Sequence, residues 1–351
     1  MELGLKWIST QQSEDGFFQR EGYDRSGATA LSLLAFIGHG HLPQKSPYGP
    51  AMIKAKDRLV DLGTEYEGYL SLRKPPTVQT VAGIPTMTSV GTIVQSIGIA
   101  PQNIPRESLI YWTSYLDPIH HAMIVTGLSE FDSCSPDPKL DKLLQLAVSK
   151  IVAAQNADGS WNEHFIKESV GCTLTTAWQV LALRAFSSTK LADAQTKECL
   201  DKAVKYSEKL GHDEPLSYHG SINYPMYVGG PNVSANGSGA YLVSFRSKKI
   251  RPPDLSKVYG LTSQESGAIS GLMDTFFAVR AASKMTEGHP PGIYPFMKSV
   301  VAKQQADGTF SFVKNDSYID YEKDKPEYLV HRTALMLLIL EAPYLYPNRP
   351  Q

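Results

Sequence analysis

Three carboxylates, three histidines and one cysteine fall near the starts of apolar segments, where side chains able to do chemistry would converge. His331 opens the run from Tyr328 to Leu340, His120 and His121 open His120 to Leu128, and Cys172 lies near the start of Val170 to Phe186. Imidazole nitrogen and thiolate sulfur both suit zinc, so these four residues could assemble a metal site if the fold gathered them. Hydrogen-bonded buried histidines and a packed core cysteine are the plainer account, and neither a metal nor a cofactor is expected. Glu168, Glu265 and Asp117 lie near other segment starts. A pair of carboxylates at the right separation would hydrolyse a glycosidic bond, whereas a lone one is simply favoured by the positive end of a helix dipole. Glu168, Glu265 and His331 are the candidate catalytic acids.

Binding residues can be read in the same way. Leu72 to Pro85 and Leu216 to Asn232 are long stretches rich in Gly, Pro and aromatic residues. Loops of this kind on a rigid scaffold often form a site, with Tyr218, His219, Tyr224 and Tyr227 as candidate cavity-mouth residues; the alternative is that they cover exposed helix ends. Asp24-Arg25, Glu168, Gln264-Glu265 and His331-Arg332 recur just before or inside apolar segments. Together with His120, His121 and Cys172 they would make a polar ring above an apolar interior, which suits an apolar or amphiphilic small molecule.

The elements that must position these residues are marked by a repeated heptapeptide, Gln-x-x-Asp-Gly-x-Phe/Trp. Its copies begin at Gln12, Gln155 and Gln304, 143 and 149 residues apart. The pattern reads as a helix stop: an amphipathic segment runs into Gln, Asp-Gly makes a tight turn, and an aromatic side chain folds back over the helix end. A buried helix follows each copy, in Ser26 to Ile37, Val170 to Phe186 and Tyr328 to Leu340. The preceding helix is more polar, as in Lys139 to Gln155, where Leu143, Leu144, Ala147, Val148, Ile151 and Val152 recur at helical spacing. Less regular pairs fill the gaps. Ala51 to Leu62 reads as outer and Thr86 to Ile97 as inner, Arg106 to Tyr115 as outer and His120 to Leu128 as inner, Leu191 to Leu210 as outer and Ser238 to Phe245 as inner. Ser266 to Ala282 is a further inner candidate and Gly292 to Gln304 an outer one. The spacing predicts an all-α chain of six or seven inner/outer helix pairs in a single domain, 1–351.

Composition narrows the partners. With a formal net charge of −1 and no basic block, nucleic acid is an unsuitable partner. No run of about eighteen apolar residues occurs, so no transmembrane segment is expected. Three cysteines, Cys134, Cys172 and Cys199, are too few and too scattered for a disulfide framework. The first residues already read as an outer helix, so an upstream stretch is expected to have been trimmed; the chain is cytoplasmic as written and exported if such a segment existed.

The Gln-x-x-Asp-Gly-x-aromatic turn followed by a small-residue helix resembles the QW-type repeat of the prenyltransferase and squalene cyclase superfamily. The closing run Tyr328 to Tyr346 resembles the last repeat of the bacterial prenyltransferase and squalene oxidase repeat proteins. The resemblance implies an α/α toroid whose inner helices surround an apolar cavity, and an isoprenoid or similar ligand. The superfamily's chemistry carries over poorly. No Asp-x-Asp-Asp occurs, and Gly171 stands where the Asp-Cys-Thr-Ala motif of oxidosqualene cyclases has its acid, in Val170-Gly171-Cys172-Thr173-Leu174. His331 resembles the zinc-binding His position of protein prenyltransferases, yet Cys172 falls several repeats too early and Gln264 to Ala268 offers no Cys. The thioester signature of toroidal complement domains is missing. A non-catalytic scaffold whose rim binds protein, and a carbohydrate-active α/α barrel, stand as alternatives.

Overall fold

A computed structural model describes residues 1–20, 25–70, 117–162, 165, 167, 171–207, 235–245, 269–286, 292–310 and 329–345. Among them are eleven helices and no strand: α1 (Glu2–Thr10), α2 (Arg25–Gly38), α3 (Gly49–Glu65), α4 (Asp117–Cys134), α5 (Pro138–Ala153), α6 (Thr173–Ser187), α7 (Ala194–Ser207), α8 (Ala235–Val243), α9 (Ile269–Met285), α10 (Ile293–Val301) and α11 (Leu329–Leu345). The protein is all-α. No helix among the described residues is long and apolar enough to cross a membrane.

Two kinds of helix are present. In α2, α4, α6, α8, α9 and α11 nearly every described side chain is buried, whereas α1, α3, α5, α7 and α10 bury one stripe, as Leu140, Leu143, Leu144, Ala147, Val148 and Ile151 do in α5. The buried helices touch in a cycle: α2 packs on α4, α4 on α6, α6 on α8, α8 on α9, α9 on α11, and α11 back on α2. Each striped helix lies against one or two members of that cycle. The segments expected as Thr86 to Ile97 and Arg106 to Tyr115 lie outside the described residues, and α2 and α4 are direct neighbours.

The three heptapeptides share one geometry. The side-chain amide of Gln12, Gln155 or Gln304 donates to the carbonyl of Gly16, Gly159 or Gly308 at 3.0–3.1 Å. Those glycines take φ of +98°, +92° and +99°, a region where any other L-residue is strained. They also touch the next outer helix so closely that a Cβ on Gly159 would lie 2.1 Å from the Lys202 carbonyl of α7, and one on Gly308 would lie 2.3 Å from the Leu3 carbonyl of α1. Gly16 meets α3 less tightly, with a Cβ 3.0 Å from the Lys54 carbonyl. The third turn therefore fastens the last outer helix to the first. Gln12 and Gln155 reach across with a second bond, to the carbonyls of Ala51 and Cys199, both at 2.8 Å.

Behind each turn the aromatic side chain is buried, as Phe17, Phe18, Trp161 and Phe310. The amides of Phe18 and Trp161 donate to the hydroxyls of Thr29 and Thr176 on the following inner helix, both at 3.0 Å. The first two heptapeptides thus each tie three elements together: the helix they end, the next striped helix and the next buried helix. Between α3 and α5 the tie is ionic: buried Lys56 pairs with Asp137, the N-cap of α5, at 2.6 Å.

Candidate functional site

Close contacts show that α2 and α4 run in the same direction, since Gly27 meets His120 and, further along, Ala30 meets Gly127. The starts of α2, α4 and α11 therefore come together. His120 of α4 and His331 of α11 approach with ring centroids 6.1 Å apart. Their helices both neighbour α2, so the two rings meet past it. Room for this is made by Gly27, where a Cβ would lie 2.6 Å from the His120 ring. Both histidines and the adjacent Arg332 are buried.

The opposite arc of the cycle is filled by aromatic rings. Trp178 of α6 stacks on Phe276 of α9 at 5.7 Å and meets Phe277 edge-on at 5.0 Å, again across an intervening helix, α8. All three are buried. Sequence reasoning passed over this trio because aromatic residues in an apolar run read as ordinary core.

Other expected site residues are committed elsewhere. His121 accepts a hydrogen bond from the Leu70 amide at 2.9 Å through Nδ1 and donates to the Ala147 carbonyl at 3.0 Å through Nε2, so neither nitrogen is left for a ligand. Burial holds its pKa down to about 4. Arg25 pairs with Asp15 at 2.8 Å, donates to the Gln19 carbonyl and lies 4.6 Å over the Phe17 ring, as part of the first turn. Cys172 is the N-cap residue of α6. Cys172, His120, His121 and His331 do not form a metal-binding group; among the described residues the cluster able to do so is Glu2 with His39 and His41. Asp24, Glu168, Tyr218, His219, Tyr224, Tyr227, Gln264 and Glu265 lie outside the described residues. Gly171 has a packing reason: a Cβ there would lie 2.1 Å from Ser160 Oγ, so the site of the expected cyclase acid is filled by the second turn.

Two buried carboxyls were not singled out from the sequence, since each is one charge in a long apolar run. Asp274 of α9 accepts from the amides of Gly237 and Ser238, both at 2.9 Å, and from the Ser238 hydroxyl at 2.8 Å, capping α8 from its neighbour. Burial outweighs those donors and raises its pKa to about 7. Glu341, near the end of α11, has no hydrogen-bond partner for either oxygen among the described residues, and burial pushes it up to about 9. At the same ends of α6 and α9, Arg184 and Lys284 sit 4.3 and 3.7 Å over the Phe245 ring, and Arg280 lies 5.1 Å over Phe276. Burial, reinforced by the two guanidinium groups, lowers Lys284 to about 7. Cations at helix C-termini are favoured by the dipole.

Compared with known proteins, the chain matches no family profile, no curated protein and no solved structure.

Proposed function

We propose that the chain is an α/α toroid of the prenyltransferase and squalene cyclase repeat kind, and that it binds an isoprenoid or other amphiphilic molecule without the superfamily's protonation or zinc chemistry. The cyclic order of buried helices and the thrice-repeated turn support the toroid reading. The observation that carries the binding reading is the meeting of His120 and His331 past α2, with Arg332 beside them, at the starts of three inner helices. Helix N-termini, imidazole and guanidinium all suit an anionic head group, and the Trp178, Phe276 and Phe277 rings suit its hydrocarbon. Alkene protonation needs an acid stronger than an ordinary carboxyl. Asp274 and Glu341, raised to about 7 and about 9, are displaced the wrong way for that task.

The test is retention. Purified chain is incubated with squalene and with C15 and C20 prenyl diphosphates, separated by gel filtration, and extracted for mass spectrometry. A retained, unchanged diphosphate, lost in His120→Ala and His331→Ala, is the expected result. A new cyclic or transferred product would replace binding with catalysis. A second reading, a protein-binding scaffold, is favoured by the burial of the aromatic trio, which fills interior space a ligand would otherwise take. Failure to retain any of the three compounds would put that reading first.

A further inference from the structure

The loop that leaves α2 brings two histidines to the first residue of α1. His39 and His41 flank Gly40, which turns the chain at φ +88° while the His39 and His41 amides donate back to Ala35 and Phe36. His39 Nε2 lies 3.6 Å, and His41 Nε2 3.5 Å, from Glu2 Oε2, and all three ligand atoms fall within 4.8 Å of one another. A tetrahedral ion with bonds of about 2.0–2.1 Å separates its ligands by about 3.3 Å, so small side-chain shifts seat all three on one centre.

The groups behind the ligands aim them at that centre. Ser46 Oγ lies 3.1 Å from His41 Nδ1 and Tyr48 Oη donates to Glu2 Oε1 at 2.6 Å, which leaves His41 Nε2 and Glu2 Oε2 facing each other. His41 Nε2 is buried, and its neighbour is Glu2 Oε2. The His41 ring is held edge-on against Tyr48, centroids 4.9 Å apart. A buried ring nitrogen beside a carboxylate oxygen and a second imidazole, with hydroxyls orienting two of the three ligands, is an arrangement that suits a metal ion. We propose that Glu2, His39 and His41 bind one divalent zinc ion, which staples α1 to the end of α2.

Two imidazoles and one carboxylate leave a fourth position for water or an outside ligand. The staple also bears on closure of the fold, since α1 is the helix that receives the Gly308 turn. The site is on the outer surface and independent of His120 and His331.

The test uses the intact chain stripped with a chelator. Titration with zinc against a chromophoric competitor is expected to give one site per chain, and cobalt in its place to give visible ligand-field bands. Zinc at a hundredfold excess over its Kd raises Tm by roughly 3–5 °C. Binding falls at least tenfold in His39→Ala and in His41→Ala, and about tenfold in Tyr48→Phe, which keeps every ligand and the ring packing. Zinc should also protect the more accessible His39 of the unaltered chain from carbethoxylation, read by peptide mass, so the result does not depend on any variant folding. Substoichiometric uptake, an unchanged affinity in the His39→Ala/His41→Ala chain, or equal modification with and without zinc would each overturn the proposal.

Discussion

At the second turn the polar groups that leave water are answered in full view: the Gln155 amide donates to two carbonyls, the Asn156 amide to Ser160 Oγ, and Asp158 accepts from the Ser160 amide and hydroxyl. Along the six buried helices the pattern differs. Ser26 Oγ, Thr175 Oγ1, Gln179 Oε1, Trp178 Nε1, Thr333 Oγ1 and both Glu341 oxygens are buried without a hydrogen-bond partner among the described residues. A buried group left without any partner costs about 1–3 kcal/mol. A cycle of helices that only had to pack would carry apolar side chains at these places. The second turn answers its buried polar groups, and the buried helices carry several that the described residues leave unanswered.

The sharpest way to break this comparison is at the turns. Gly159→Ala places a Cβ on the Lys202 carbonyl and forces alanine to positive φ, so a loss of about 3 kcal/mol or more is expected by urea denaturation. Gly308→Ala should cost a similar amount, because its turn fastens α10 to α1. A loss below about 1 kcal/mol at either glycine would mean that the turn yields, and that the clasp is not where stability lies.

Next in size are the turn glutamines. Gln155→Ala removes two side-chain bonds from a buried site and takes the side-chain donor from the Gly159 carbonyl, so a loss of about 2 kcal/mol follows. Gln304 is half-buried and its bond to the turn is to Gly308 alone, so Gln304→Ala should cost about 1 kcal/mol. Equal losses would show that reach to the neighbouring helix is unimportant.

Inside the cycle the sign reverses. Glu341→Leu removes a buried carboxyl and should stabilise by about 1–2 kcal/mol at neutral pH. Its folded pKa, about 9, lies above the ordinary 4.5, so the folded chain holds a proton the unfolded chain releases. That contribution is complete below about pH 4.5 and is lost as pH rises towards 9. Denaturant midpoints measured across this range should fall for the parent and fall less for Glu341→Leu; parallel curves would show that Glu341 finds a partner or water.

The turns were legible in the sequence because their chemistry is local: Gln, Asp, Gly and an aromatic at fixed offsets specify one backbone path. The two classes of helix were legible from periodicity, though α6 starts at Thr173 rather than Val170 because Cys172 is its N-cap. What the turns reach was not legible, since the Gly308–Leu3 and Gln155–Cys199 contacts join residues far apart in the chain. The interior was least legible. His120, His121 and His331 look alike as letters at helix starts, and Arg25 looks like a rim cation until Asp15 and Phe17 claim it. The Glu2, His39 and His41 cluster was not legible because its members lie at the two ends of a segment of two helices, α1 and α2.

The adjacent histidines give the finest test. Successive residues on a helix point about 100° apart, so His121 faces α5 and the Leu70 amide while His120 faces Gly27 and His331. One belongs to the fully answered kind of region and the other to the interior. His121, held at about 4 against an ordinary 6.5, must be neutral in the folded chain; its contribution is complete above pH 6.5 and is lost as pH falls towards 4, an acid limb of about 1–2 kcal/mol by pH 5. His121→Gln should flatten that limb, whereas His120→Ala, which empties a buried site beside Gly27 and His331, should lower stability by about 1–3 kcal/mol at every pH and leave the slope of the limb unchanged. If His120→Ala flattened the limb as well, the acid sensitivity would not belong to His121 alone, and the contrast between two neighbouring histidines in different surroundings would fail.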